Sequence, residues 1–138
     1  MSVNEAKAVI ARFLDEVWNQ GNLDAIDGMC ADGFCHYDSV GRDTHDLASF
    51  KQYVAATYAG FPDLRLIIEE QIAEGDRVAV HWKLCGTHRG ECLGIAPTGR
   101  QVELEGVSFY RVAGTKIVES SIFRDRLDLK LGGRIVRP

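Results

Sequence analysis

The feature that most constrains this chain is a change of hydrophobic period at Gly60-Phe61-Pro62-Asp63. Upstream, apolar residues recur every three or four positions, and downstream they alternate, a difference that separates helices from strands. In the first segment Ala6, Val9, Ile10, Phe13, Leu14, Val17 and Trp18 form one stripe, with Glu5, Lys7, Arg12, Asp15 and Glu16 on the other side. That pattern predicts an amphipathic helix. Gly21 suits its C-terminal cap, and Asn22 is placed to cap a second, shorter helix carrying Leu23, Ile26, Met29 and Cys30. Asp46 opens a third helix with Leu47, Phe50, Val54, Thr57 and Tyr58, which stops before the Gly-Phe-Pro-Asp stretch.

Beyond Pro62, Leu64, Leu66 and Ile68 alternate with other residues, and a turn at Glu74-Gly75-Asp76 leads into Val78, Val80, Trp82 and Leu84. A Gly-punctuated loop over 86–99 precedes a strand from Val102 to Val112, and Ala113-Gly114-Thr115 turns into another from Lys116 to Arg124. Three helices followed by four long strands, without an internal repeat, predict an α+β fold: three N-terminal helices packed on a single, mainly antiparallel sheet. A twisted sheet bridged by helices leaves room for a pocket on its concave side, although a filled core gives the same periodicity.

Composition narrows the function classes. A length of 138 residues corresponds to one domain, expected to span 1–138. With 16 basic against 20 acidic residues the net charge of −4 offers no field for a phosphate backbone, so no nucleic acid is expected as partner. The first residues lack a signal-peptide pattern and no apolar run is long enough to span a bilayer, so the reading is a cytoplasmic protein without a membrane partner. Cys30, Cys35, Cys85 and Cys92 match neither a redox pair nor a zinc site and are read as reduced thiols, with no metal expected.

Several phrases then occur in a specific order. They are Phe61-Pro62-Asp63-Leu64, Glu74-Gly75-Asp76-Arg77-Val78-Ala79-Val80, His81-Trp82, Gly86-Thr87-His88-Arg89-Gly90 and Leu93-Gly94-Ile95-Ala96-Pro97-Thr98-Gly99-Arg100. Gly106-Val107-Ser108-Phe109-Tyr110-Arg111 and Lys116-Ile117-Val118-Glu119 follow. Together they resemble the SnoaL-like polyketide cyclases, a branch of the nuclear-transport-factor-2-like superfamily, over nearly the whole chain. The resemblance implies a cone-shaped α+β barrel enclosing a ligand pocket, a homodimer, and a cofactor-independent intramolecular aldol condensation of a hydrophobic, polyketide-like small molecule. In that chemistry a carboxylate removes an acidic proton, the enolate attacks a second carbonyl, and the new alkoxide is protonated.

The ending Phe123-Arg124-Asp125-Arg126-Leu127-Asp128-Leu129-Lys130-Leu131-Gly132 is similar to the family's closing segment and places Asp125 on the family's acid. Two departures stand out: Arg124 occupies a position where an aromatic residue is common, and Ser120-Ser121 replaces a frequent His-Trp pair. Asp125 is therefore the expected acid/base, its pKa raised by burial, with His36 of Phe34-Cys35-His36-Tyr37-Asp38 assisting. Trp82, His88, Phe109, Phe123, Tyr53, Tyr58 and Phe34 are the expected substrate-binding wall. Each has a plainer reading beside it: Asp125 as a surface acid paired with Arg124 or Arg126, His36 as a satisfied wall residue, and the rings as ordinary core.

Glu103 and Glu105 share one strand face, and with Asp125 they would form a water-activating carboxylate cluster if all three turned inward. A solvated outer sheet face is the favoured reading of the two glutamates. That cluster marks the alternative of an epoxide-hydrolase-like or hydroxylase enzyme of the same superfamily; a small-molecule-binding protein without chemistry is the other.

Overall fold

In the computed structural model, residues 2–127 and 131 are described. Helix α1, Val3–Leu14, starts with a capping box: the Ser2 hydroxyl accepts the Glu5 N–H while the Glu5 carboxylate accepts the Ser2 N–H. Its stripe buries Ala6, Ile10, Phe13 and Leu14. The helix then widens into a π-helical turn, Asp15–Asn19, which brings both Val17 and Trp18 onto the buried side. Asn19 fixes this turn to the sheet, since its side chain accepts the Leu66 N–H at 2.7 Å and donates to the Leu66 carbonyl at 3.1 Å.

Gly21, at φ +66°, ends that segment in the left-handed conformation that glycine adopts without strain. Helix α2 spans Asp24–Met29. Its N-cap is Leu23, so Asn22 does not cap it through its side chain as expected, and supplies only its backbone carbonyl to Ala25. Helix α3, Leu47–Gly60, does begin as read, with the Asp46 carboxylate accepting the Ser49 N–H at 2.8 Å.

Six strands follow the order β2-β1-β6-β5-β4-β3, with β1 Cys30–Asp38, β2 Asp43–His45, β3 Arg65–Glu74, β4 Arg77–Thr87, β5 Gln101–Ala113 and β6 Lys116–Arg124. Every neighbouring pair is antiparallel except β1 with β6. The sheet is open, with β2 and β3 at its edges, so it wraps the site without closing into a barrel. Helix α1 packs on β3 and β4, and α3 packs on β1 and β2. The expectation of four strands is corrected by β1 and β2. Their stretch shows no apolar alternation because the buried positions toward the end of β1 are Phe34, His36 and Asp38, two of them polar.

Strand parity decides which side chains reach the interior. On β5, Val102, Leu104, Gly106, Ser108, Tyr110 and Val112 are buried, while Glu103, Glu105 and Phe109 are exposed. On β6, Ser120 and Ile122 are buried and Phe123 is exposed. Gly106 leaves space for a neighbour: a Cβ there would lie 2.6 Å from the Trp82 ring and 2.6 Å from the backbone carbonyl of Phe123. Because one of those contacts is backbone, the strain has no easy relief. Gly106→Ala is expected to destabilise the fold by about 1–3 kcal/mol, read as a lower urea midpoint at unchanged m-value.

Candidate functional site

Between the sheet, α3 and the π-helical turn lies a cavity of about 350 Å³. That is within the roughly 300–1,000 Å³ typical of small-molecule sites. Its walls are mostly apolar, from Trp18, Phe50, Leu66, Leu84, Leu104 and Ile122, and three polar sets interrupt them.

The first set joins β1 to β6. His36 Nδ1 and Ser120 Oγ are 2.6 Å apart and buried, and His36 Nε2 is buried with no hydrogen-bond partner among the described residues. The imidazole stands edge-on to Phe50, with ring centroids 4.8 Å apart, and 6.0 Å from the Tyr53 ring. Burial, followed by the nearby His45, lowers the His36 pKa from 6.5 to about 4. At neutral pH the ring is uncharged.

The second set is an ion pair inside the protein. Arg124 Nη2 donates to Asp38 Oδ2 at 2.9 Å, with the two side chains only 13% and 7% exposed. The Asp38 Oδ1 atom accepts the Val40 N–H at 2.9 Å, and Arg124 Nη1 donates to the Asp125 carbonyl at 3.2 Å. Tyr53 is near enough to the guanidinium for the two groups to influence each other's ionisation. Burial opposes the arginine's charge, but Tyr53 and Asp38 outweigh it and hold the guanidinium pKa above its ordinary value. Burial also raises the Tyr53 pKa, so its phenol stays protonated.

The third set lies across β4 and β5. Trp82 Nε1 donates to Ser108 Oγ at 2.9 Å, and on the same face of β5 burial strongly raises the pKa of the Tyr110 hydroxyl. The rim comes from the β4–β5 loop, which contributes Glu91, Cys92 and Leu93. His88 anchors that loop: its Nδ1 accepts the Thr98 N–H at 3.2 Å, its backbone pairs with Gly99 and Arg100, and its ring stacks on Phe61 at 5.5 Å.

Residues 8–131 match the family model of the SnoaL-like polyketide cyclases. The chain belongs to that family. Among solved structures, it is similar to AclR from Streptomyces galilaeus, a candidate hydroxylase, at 29% identity and TM-score 0.85, covering 95% of this chain and 98% of that one. A candidate polyketide cyclase from Acidithiobacillus ferrooxidans is 30% identical with TM-score 0.79, over 92% of this chain and 93% of that one. A candidate SnoaL-like polyketide cyclase from Jannaschia sp. CCS1 is 25% identical with TM-score 0.83, over 92% and 90%. No curated protein matches the chain.

Against the residues that the cyclase resemblance pointed to, the structure divides the set. His36, Trp82 and Tyr53 line the cavity. Phe34 is buried against Phe50, Tyr58 donates from its hydroxyl to the Trp18 carbonyl, and His88 acts through the rim loop, so these three stand behind the wall. Asp125, Phe109 and Phe123 are exposed. Alternation is the reason: Ser120, Ile122 and Arg124 point inward from β6, and Phe123 and Asp125 take the opposite parity. Asp125 accepts the Glu105 N–H at its carboxylate, and Glu103 and Glu105 are exposed beside it. The expected burial of Asp125 is thus corrected, and the three carboxylates do not gather around an interior water. Asp128–Lys130 and Gly132 of the closing segment lie outside the described residues.

Arg124, Asp38, Ser108, Tyr110 and Ser120 were not picked out as site residues. Counting alternate positions back and forward from Ile122 would have found Ser120 and Arg124. Asp38 carried no such signal, since its strand shows no apolar alternation.

The lowered pKa of His36 makes a stability prediction. Below 6.5 the unfolded chain takes up a proton at this position that the folded chain accepts only near pH 4, so stability falls as pH drops through that window. The loss is on the order of 3 kcal/mol when complete. His36→Gln is expected to flatten this part of the curve of melting temperature against pH; an unchanged slope would show that His36 does not set it.

Proposed function

We propose that this chain is a cofactor-independent, cyclase-type enzyme that performs acid/base chemistry on a hydrophobic, polyketide-like small molecule, with His36 rather than Asp125 moving the proton. The observation that carries this reading is the uncharged, buried His36 on the cavity wall, whose Nε2 has no hydrogen-bond partner among the described residues. With Nδ1–H donated to Ser120 Oγ, Nε2 holds a lone pair that meets no donor among the described residues. It accepts a proton from a carbon flanked by two carbonyls, and the resulting enolate carbon forms a bond to a second carbonyl of the same molecule. The imidazolium then returns its proton to the new alkoxide, which leaves the enzyme unchanged. The low pKa of His36 makes that return step easy, while the substrate's own carbonyls supply the acidity that the first step needs.

The likeness to AclR favours one second reading, hydroxylation of a similar ligand, and oxygen uptake accompanying turnover separates the two. The hydrolase alternative loses its support, since Glu103, Glu105 and Asp125 face outward. The homodimer belongs to this proposal as well. The outer sheet face exposes Phe123 with Phe109 and Tyr37 in ring contact on either side of it, apolar surface that a second copy would cover, and light scattering is expected to give twice the chain's mass.

Proton abstraction is read directly by NMR as deuterium exchange at the acidic carbon of an aryl β-diketone. Wild type is expected to accelerate this exchange, His36→Gln to lose about 100-fold or more of the acceleration, and Asp125→Asn to remain within about twofold. The reverse pattern, with Asp125→Asn inactive and His36→Gln active, would return the role to the aspartate and sink this assignment.

A further inference from the structure

A second imidazole stands beside His36 at this end of the sheet. His45, on β2, lies directly across from His36 in the β1–β2 register, so both side chains leave the sheet on the same face. Their ring centroids are 6.0 Å apart, and the Tyr53 ring is 5.8 Å from His45 and 6.0 Å from His36. His45 Nδ1 and Ser49 Oγ are 2.6 Å apart, which ties the ring to the first turn of α3. The surroundings of the two rings differ. His36 is 5% exposed and lines the cavity, whereas His45 is half-buried on an edge strand, outside the cavity lining, with exposed Asp43, Thr44 and Asp46 around it. One ring faces the ligand space, and the other lies between that ring and solvent.

A base set in an apolar wall must release its proton as well as take it up. A ligand that fills the cavity separates His36 from bulk water on that side, so a proton held at Nε2 needs a second way out whenever the enolate does not reclaim it. The charged groups acting on His36 are His45, Asp38 and Arg124. Asp38 has one oxygen on the Val40 N–H and the other on the guanidinium, and the guanidinium is held in its charged form. Burial keeps the neighbouring Tyr53 phenol protonated. His45 remains, and imidazole is the side chain suited to gain and lose protons near neutral pH. At a centroid separation of 6.0 Å, one water molecule links the nitrogens of the two rings.

We propose that His45 is a proton relay that connects His36 in the cavity wall to solvent at the β2 edge of the sheet. The Nε2–H bond of the His36 imidazolium breaks, the proton passes through one water to His45 Nε2, and a proton leaves His45 for bulk water, so both rings end neutral. Ser49 occupies His45 Nδ1 and thereby leaves Nε2 as the exchanging atom. His45 touches no ligand in this scheme and acts through His36. The proposal rests on the reading of His36 as the proton acceptor and adds how that base is reset.

Two measurements test it, one of which needs no ligand. At about pH 5 the charged form of His36 is a minor population, because its pKa is lowered to about 4, and line broadening of its ring nitrogens in labelled protein reads the rate of interconversion. His45→Gln is expected to slow this interconversion about tenfold or more, and added imidazole to restore it in proportion to its concentration. Ser49→Ala, which keeps the ring but frees it, is expected to give a smaller loss. In the second measurement, deuterium exchange of the aryl β-diketone is expected to fall about tenfold in His45→Gln and to recover with imidazole, after subtraction of the exchange that imidazole causes alone. Interconversion as fast in His45→Gln as in wild type overturns the relay. Slowing in both His45→Gln and Ser49→Ala that imidazole does not reverse also overturns it, since that marks a structural role. Absence of diketone exchange in wild type sinks the proton-transfer reading of His36, and the nitrogen measurement then still decides whether His45 carries protons to and from that ring.

Discussion

The site depends on the parallel pairing of β1 with β6. That pairing sets His36 beside Ser120 and Asp38 beside Ile122, close enough for Asp38 to reach Arg124 from across the seam. Both polar pairs at this end of the cavity are held across the same junction. The ion pair among them is expensive to bury, and its cost is reduced because the second oxygen of Asp38 and the second terminal nitrogen of Arg124 also find partners. Loss of one member would leave an unmatched charge in a largely apolar interior, a more severe change than loss of both. The strand arrangement is therefore tied to the chemistry through electrostatics as well as through backbone hydrogen bonds.

Much of this architecture was legible in the sequence because it is written in apolar residues. The stripe from Ala6 to Trp18, the Asp46 cap and the alternation through β3, β4, β5 and β6 predict elements that the structure contains. β1 was not legible for a physical reason. Its buried face near the cavity carries His36 and Asp38, whose burial is made possible by Ser120 and Arg124 far along the chain, and periodicity cannot register compensation of that kind. A strand selected for its polar cargo reads as a loop.

The difference between Arg124 and Asp125 shows a second limit. Similarity to the cyclases directs attention to the acid, but the face that a residue occupies on a strand follows from strict alternation, and one position separates interior from solvent. Here the interior position holds a cation. Membership of the family establishes the architecture and the hollow within it, whereas the reacting groups have to be taken from the side chains that line that hollow. Those are a neutral imidazole, a protonated phenol and a paired guanidinium.

The β1–β6 seam also bears on how the chain acquires its shape. The bond between His36 and Ser120 spans 84 positions of sequence, whereas β3 with β4 and β5 with β6 are joined by tight turns. Closing so long a segment is entropically unfavourable until the intervening hairpins exist, so those local pairings should form first. During synthesis β1 leaves the ribosome long before its parallel neighbour. The hollow would then be completed when β6 arrives, and a nascent chain halted before β6 would have α1, α2 and α3 but no binding chamber.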